Sequence, residues 1–298
     1  MNQTTRERRA QILGMMAEGM SLRSISRMTG ASKNTLAKLL HDAGCAFTAY
    51  QRKTLRNLKS RRIQCDEIWS FVGMKAKTAK KNDVKGFGVG DVWTWTAIDA
   101  DTKLVPCWFI GTRDGGAAYE FISDLESRLA NRVQLTTDGH KAYLDAVDST
   151  FGIGIDYAML VKLYGADPNE GSAHRYSPPV CIGCETNVVV GNPDPDHIST
   201  SYVERQNLSM RMGMRRFTRL TNAFSKSVEN HRHAVAIYFM HYNFVRVHQT
   251  LRCTPAMEAK VTERLWSLAD MVTVLEEWEA QQPHEKVGRK PKAKEESN

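Results

Sequence analysis

The sequence predicts an α/β protein, in which a mixed-sheet domain follows a trihelical helix-turn-helix and precedes a helical region. Apolar residues recur at helical spacing in three short runs within residues 1–45, which predicts three short helices. Alternating segments rich in β-forming residues begin near residue 62, and strands mixed with helices in this way are typical of an α/β sheet. Helical spacing dominates again after residue 222.

Positive charge is concentrated at the amino-terminal end. The chain of 298 residues has a formal net charge of +8, and residues 1–62 hold 13 lysines and arginines against 3 acidic residues. Such an end predicts a polyanionic partner, and DNA fits better than a membrane because no basic amphipathic helix with bulky apolar anchors is visible. No apolar run approaches the ~18 residues of a membrane span and no secretory signal is visible, so we expect a cytoplasmic protein.

The first 45 residues are interpreted as the DNA-binding domain. Gly19 and Gly30 interrupt the helical spacing, and Ser21 and Ser32 follow as predicted N-caps. Residues 32–43 would form the recognition helix, with three polar side chains offered to the major groove: Lys33, Asn34 and Lys38. The alternative is a plain three-helix packing module with a solvated basic face.

Residues 46–62 are predicted to form a basic linker that lies along DNA phosphates. Arg52, Lys53 and Arg56 supply its first positive charges, and phosphate contacts of this kind carry no sequence information.

The catalytic domain is predicted to span residues 63–222. Three strands, a helix over residues 119–130, a strand ending at Gly139, more helix and a strand near residues 155–160 are expected in that order. Residues 164–200 are rich in proline and glycine, so they are interpreted as a loop-dominated insertion that folds over the site or contacts DNA.

The carboxyl-terminal helical region is predicted over residues 223–282, with a disordered basic tail over 283–298. Thr254 is a predicted cap before Pro255. An apolar stripe then runs through Val261, Leu265, Leu268, Val272 and Leu275. The stripe fits either a subunit contact or a helix docked on its own domain.

Three acids from separate segments are candidates for chemistry. Asp66 lies in the middle of the first strand, Asp138 ends a later strand beside Gly139, and Glu204 opens an arginine-rich helix. Acids that converge in this way are neutralised most simply by a hard divalent cation. The alternative for each is a solvated surface carboxylate, a role that the neighbouring Glu67 is expected to fill.

The segments around these acids, C-D-E-I-W-S-F-V-G, T-T-D-G-H-K-A-Y and S-T-S-Y-V-E-R-Q-N-L-S-M-R-M-G-M-R-R-F, resemble the catalytic blocks of the Asp-Asp-Glu transposases of the insertion sequence 1 family. The likeness covers most of residues 62–260. It implies a ribonuclease-H-like domain in which Asp66, Asp138 and Glu204 are catalytic and bind two Mg²⁺ ions, with Mn²⁺ able to substitute. Some relatives carry a cysteine-rich zinc module before the helix-turn-helix, which this chain lacks.

Two arginines that follow Glu204 in the sequence are predicted to contact DNA. At ~3.6 residues per turn, Arg211 and Arg215 would share a helix face with Glu204 and follow the DNA backbone from the metal site.

Two weaker motifs remain open. Cys181 and Cys184 form a C-x-x-C pair that is either half of a zinc site or two free thiols, with His174 and His197 available as further ligands. Tyr242, Asn243, Arg246 and His248 belong to a segment that either aids DNA strands near the site or forms a structural hydrogen-bond network.

The sequence therefore predicts a transposase that cleaves the ends of its element and joins their 3′-hydroxyls to target DNA. Joining two ends implies at least a homodimer. A metal-dependent nuclease or resolvase without strand transfer, and a helix-turn-helix regulator with an inactive catalytic domain, are the alternatives.

Overall fold

The computed structural model describes residues 4–84, 88–165, 180–218 and 221–283. The middle of the predicted insertion, including His174, and residues 284–298 of the predicted tail lie outside these ranges. None of the helices in the described ranges is long and apolar enough to cross a bilayer.

Three helices form the amino-terminal part: α1 (Arg6–Ala17), α2 (Leu22–Thr29) and α3 (Lys33–Thr54). Both predicted caps are confirmed, because the Ser21 and Ser32 hydroxyls accept the backbone N–H groups of Ser24 and Thr35. Gly30 ends α2 at a φ of 69°, in the left-handed region that glycine adopts without strain.

The third helix is longer than predicted. Residues 46–54 continue α3 instead of beginning a linker, because Phe47 and Gln51 extend its buried stripe while Arg52 and Lys53 face solvent. The basic residues suggested a linker, but they occupy only the outer face of an amphipathic helix.

A six-stranded mixed sheet forms the centre of the molecule, in the order β3-β2-β1-β4-β5-β6. The strands are β1 (Arg62–Val72), β2 (Gly90–Asp99), β3 (Trp108–Gly111), β4 (Gln134–Thr137), β5 (Asp156–Gly165) and β6 (Val180–Val190). β1 pairs antiparallel with β2 and parallel with β4, and β5 runs parallel to β4. This mixed sheet is consistent with the ribonuclease-H-like architecture expected from the sequence.

The structure corrects the predicted insertion. Residues 180–190 form β6, which pairs antiparallel with β5, so this part is sheet and not loop. Val188, Val189 and Val190 provide β-forming residues there, whereas the prolines of the segment lie on either side of the strand.

Four helices cover the two faces of the sheet: α5 (Gly115–Glu126), α6 (Ala142–Phe151), α7 (Ser201–Gly213) and α8 (Val228–Phe244). The described residues also form α4 (Ala76–Lys81), α9 (Pro255–Glu258) and α10 (Leu268–Ala280). α5 and α6 pack with Cys65 and Trp95 on one face. α7 and α8 pack with Ile68 and Val92 on the other.

The amino-terminal helices share a third core with α8 and α10. Ile12, Leu36 and Phe47 are fully buried there together with Ile237 and Leu275. The three amino-terminal helices therefore pack against the carboxyl-terminal helices through a common apolar interior.

The carboxyl-terminal stripe belongs to this same core. Thr254 caps α9 as predicted, but that helix ends at Glu258, so residues 261–275 do not form one continuous helix. Val272 and Leu275 are fully buried against the chain's own helices, which confirms the docked alternative for them, whereas Leu265 is half exposed.

Tyr242 and Asn243 have structural partners. The Asn243 amide donates to the Val105 carbonyl and accepts the Val105 N–H, and the Tyr242 hydroxyl donates to the Lys103 carbonyl. Both side chains are buried, so the structural-network interpretation is confirmed for them.

Candidate active site

Asp66 and Asp138 are brought side by side by strand register. Parallel pairing places Cys65 of β1 opposite Thr137 of β4, and each aspartate is the next residue of its chain. The β1 and β4 backbones are hydrogen-bonded neighbours, so two acids that lie 72 positions apart meet at one point of the sheet.

The Asp66 carboxylate is oriented by two hydrogen bonds. Its Oδ1 accepts the Glu67 N–H at 2.8 Å, and its Oδ2 accepts the Asn207 amide of α7 at 2.8 Å. Burial and then the charge of Asp138 raise the pKa of Asp66 to about 7, although both hydrogen bonds act in the opposite direction. Full ionisation of the acids in this site is therefore unfavourable unless a cation binds.

Glu204 lies in the first turn of α7 and faces the same cleft. The helix start is anchored by β1, because Gln64 Oε1 accepts the N–H groups of Tyr202 at 2.8 Å and Val203 at 3.2 Å. Gln64 and Asp66 are two residues apart and share one face of β1. The strand that carries the first acid thus also positions the helix that carries the third.

The Glu204 carboxylate is held by neighbouring groups. Lys162 of β5 donates to both of its oxygens, and the Thr200 hydroxyl donates to Oε1 at 2.6 Å. Burial is the largest single influence and lowers the pKa of Lys162, but the hydrogen bond to Glu204 and the negative charge of Glu204 act together against it, and the net result is a raised lysine pKa. Lys162 therefore stays protonated against this carboxylate.

Glu67 is part of the site, which corrects the expectation that it is a solvated surface acid. Its side chain is 0% exposed, and Arg113 donates from Nε to Glu67 Oε2 at 3.0 Å. One ligand atom from each of Glu67, Asp66 and Asp138 lies within 4.8 Å of the others. Burial and then the charge of Asp138 raise the pKa of Glu67 to about 7.

Arg113 joins these acids from the loop that follows β3. Beside its bond to Glu67, its Nη2 lies 3.6 Å from Asp138 Oδ2, and its guanidinium is 4.6 Å from the Trp93 ring centroid. No sequence pattern marked this arginine, since its partners lie on two other strands.

We call the space between these side chains the acidic cleft. It is lined by Asp66, Asp138 and Glu204 together with four basic or titratable side chains: Arg113, His140, Lys141 and Lys162. Carboxylates that lie beside lysine and arginine side chains suit the binding of metal ions together with a phosphate group. Glu204 falls outside the group of acids within 4.8 Å, but its charge contributes to the raised pKa of Asp66.

The two arginines predicted to follow Glu204 are placed differently. Arg211 lines a recess beside Asp66 and Glu204 and donates to the Phe217 carbonyl at 3.2 Å. Helix α7 ends at Gly213, so Arg215 does not continue the helix face as predicted; it lies near Met16 and Met20 of the amino-terminal helices.

The other predicted DNA-binding residues lie on the surface of α3 and just after it. Lys33, Asn34, Arg52 and Lys53 are exposed, and Lys38 forms an ion pair with Asp42 while its side chain remains 77% exposed. Arg56 follows the helix and donates to Ser127. The contacts of these residues with DNA stay predictions.

Cys181 and Cys184 lie on β6 and are exposed. Within the described part of the chain, neither belongs to a group of three metal-ligating side chains, and His197 is paired with Asp194 at 2.8 Å. The zinc interpretation for this pair stays a prediction.

No protein-family model and no curated protein matches the chain. Among solved structures, the chain is similar to a cryo-EM structure of a piggyBac transposase synaptic complex with hairpin DNA, at 9% sequence identity and a TM-score of 0.43. The match covers 96% of this chain and 75% of that one, but a likeness of this degree does not establish a shared fold.

Proposed function

We propose that the protein is a metal-dependent DNA transposase of the insertion sequence 1 type. It would cleave the ends of its element and join the 3′-hydroxyls to target DNA in the acidic cleft. The observation that carries this proposal is the convergence of Asp66, Asp138 and Glu204, from β1, the end of β4 and α7, on one cleft with a basic rim.

The residues present fit Mg²⁺. Carboxylate oxygens are the donors that this ion prefers, and a bound cation would counter both the burial and the charge of Asp138 that raise the pKa of Asp66. Asp66, Asp138 and Glu204 would hold two ions, with Mn²⁺ as a substitute. Bound ions would activate a water or a DNA 3′-hydroxyl and stabilise the leaving oxygen.

The protein's own groups then have separate tasks. Asn207 orients the Asp66 carboxylate and Gln64 fixes the start of α7, so the acids keep their positions before DNA arrives. Lys141, which is exposed at the rim, supplies positive charge for a phosphodiester that enters the cleft. Arg113 keeps Glu67 paired, so that the buried carboxylate does not add an uncompensated charge to the cleft.

End recognition is assigned to the amino-terminal helices. The exposed amino-terminal residues of α3, Lys33 and Asn34, would enter the major groove, and Arg52 and Lys53 at the other end of the helix would contact phosphates. Because transposition joins two ends, we infer that the active species is at least a homodimer.

A strand-transfer assay tests the proposal. The purified chain is incubated with pre-cut oligonucleotides that carry candidate ends and with a target plasmid, in Mg²⁺ or in EDTA. We expect joined products only with Mg²⁺, and a loss on the order of 10³-fold in Glu204→Gln. The matched control Glu120→Gln removes an exposed acid of α5 and should keep full activity.

Each alternative gives a different result. Metal-dependent cleavage without joined product would favour a nuclease or resolvase. End binding without any cleavage, unchanged in Glu204→Gln, would favour a regulator and would overturn the catalytic proposal.

A further inference from the structure

A second group of metal-ligating side chains lies far from the acids in sequence, where α3 packs against α8. His41 and Cys45 come from α3 and His233 comes from α8, and one ligand atom from each lies within 4.8 Å of the others. We call these three residues the α3–α8 cluster. None of them lines the acidic cleft.

The two α3 residues are spaced as helical metal ligands are. His41 and Cys45 are four positions apart, so they lie on one helix face, one turn from each other. Cys45 Sγ lies 4.0 Å from His41 Nε2. Tetrahedral zinc has bonds of about 2.3 Å to sulfur and about 2.1 Å to nitrogen. These bond lengths require a sulfur-to-nitrogen distance only a few tenths of an ångström shorter than the one observed.

His41 is already oriented for binding. Its Nδ1 lies 3.1 Å from Asp42 Oδ1, and because a carboxylate only accepts hydrogen bonds, the proton of the neutral ring is placed on Nδ1. The lone pair of Nε2 is thereby directed toward Cys45. A carboxylate behind a histidine ligand is the usual outer partner in zinc sites.

The backbone of α3 makes room for His233. A Cβ atom on Gly44 would lie 2.3 Å from His233 Nδ1 and 2.4 Å from His233 Cβ, a separation that real atoms do not adopt. Glycine inside a helix costs stability relative to alanine. The close approach of the two helices at this histidine accounts for a glycine at that position.

The cluster is reachable from solvent. His41 has 57% of its side chain exposed, and Cys45 and His233 both line a cavity of about 570 Å³ on the adjacent surface. An ion has an entry path, and a water molecule has room to complete the coordination.

We propose that His41, Cys45 and His233 bind one Zn²⁺ ion that links α3 to α8. The ion would fix the helix whose first turn carries Lys33 and Asn34 against the helix that covers the sheet. Imidazole nitrogen and thiolate sulfur suit zinc and not magnesium, so this site and the acidic cleft select different metals.

Cobalt titration of the full-length, metal-free chain tests this inference. Tetrahedral Co²⁺ bound to a thiolate gives a sulfur-to-cobalt charge-transfer band and intense visible bands, whereas ions held by carboxylates alone give no charge-transfer band. We expect one equivalent of Co²⁺ to produce these bands, and one equivalent of Zn²⁺ to remove them.

Matched variants assign the bands to residues. Cys45→Ser should remove the charge-transfer band, whereas Cys253→Ser, which changes another half-buried thiol, and the double variant Cys181→Ser/Cys184→Ser should keep it. His41→Asn replaces a mostly exposed side chain, so this variant tests the site without a core change, and we expect at least a tenfold weaker Co²⁺ affinity.

Thermal unfolding gives a second readout that does not depend on DNA chemistry. Saturating Zn²⁺ should raise the Tm of the unmodified chain and of Cys253→Ser by about 5 °C, and should leave Cys45→Ser unchanged. A charge-transfer band that persists in Cys45→Ser, or its absence from the unmodified chain, would overturn the inference.

Discussion

The acidic cleft and the α3–α8 cluster are both groups of metal-ligating side chains, but they solve opposite electrostatic problems. The cleft gathers carboxylates that repel one another, at positions set by hydrogen-bonded strands. The cluster gathers two imidazoles and a thiol, which need not be charged at neutral pH. The cleft therefore needs cations in order to be stable, whereas the cluster does not.

The cations that the cleft contains show how this need is met within the protein. Arg113 pairs with Glu67, and Lys162 pairs with Glu204. The stability of the cleft should therefore depend on pH and on Mg²⁺, whereas Mg²⁺ should leave the α3–α8 cluster unchanged. Three measurements test this distinction.

The largest effect is expected from pH. Asp66 and Glu67 both have a pKa of about 7 in the folded protein, above their ordinary values of 3.8 and 4.5. Between about pH 4 and pH 7 the folded state therefore holds more protons than the unfolded state, and stability falls as pH rises. We expect these acids to cost about 5 kcal/mol of unfolding free energy between pH 5 and pH 8 in EDTA.

Urea denaturation of the unmodified chain and of the double variant Asp66→Asn/Glu67→Gln measures this contribution by difference. Buried histidines act in the opposite direction, since burial lowers the pKa of His231 to about 3, but both proteins share them. Mg²⁺ at pH 8 should restore the lost stability only in the unmodified chain. A difference that does not change with pH would contradict the electrostatic account of the cleft.

The next effect concerns Arg113. Its replacement in Arg113→Ala leaves Glu67 buried without its partner, so the pKa of Glu67 rises further. At pH 9, where Glu67 is charged, Arg113→Ala should lower the free energy of unfolding by about 2 kcal/mol. At pH 6 the loss should be distinctly smaller, because Glu67 takes a proton instead. Denaturation at the two pH values measures it.

A second background separates charge from packing in this prediction. In Glu67→Gln, the added change Arg113→Ala should have the same cost at pH 6 and pH 9, because no carboxylate remains to be paired. If Arg113→Ala lowers the free energy of unfolding equally at pH 6 and pH 9 in the chain that keeps Glu67, the pairing of Arg113 with Glu67 is refuted.

The smallest effect is expected at Lys162. The lysine competes with metal ions for the Glu204 carboxylate, and a partly exposed ion pair contributes about 1 kcal/mol or less. Lys162→Gln should therefore tighten Mg²⁺ binding about threefold to fivefold, measured by calorimetry at pH 8 without DNA.

Lys141→Gln is the matched control, because this lysine lines the same cleft and makes no ion pair with Glu204 among the described residues. Equal tightening in both variants would mean that loss of positive charge alone is responsible. Neither change should alter Zn²⁺ binding at the α3–α8 cluster.

Much of this protein was predictable because the signals are local. The caps at Ser21, Ser32 and Thr254 and the strands around Asp66 and Asp138 follow from residue type and period, which act within a few positions of the chain. The extent of α3 and the existence of β6 were missed, because basic residues and flanking prolines masked a buried stripe and a paired strand.

Residue type and period alone predicted most of the helices and strands in their chain order, together with the three acids that resemble a catalytic set. The packing of the folded chain, in contrast, brings Arg113 and Lys162 into the acidic cleft and the buried Glu67 within 4.8 Å of Asp66 and Asp138. It also brings His233 to His41 and Cys45. The physical reason is that periodicity reports which face a side chain takes, whereas strand register and helix crossing decide which distant side chain lies opposite. The pairing of Cys65 with Thr137 is an example, because this register places Asp66 beside Asp138.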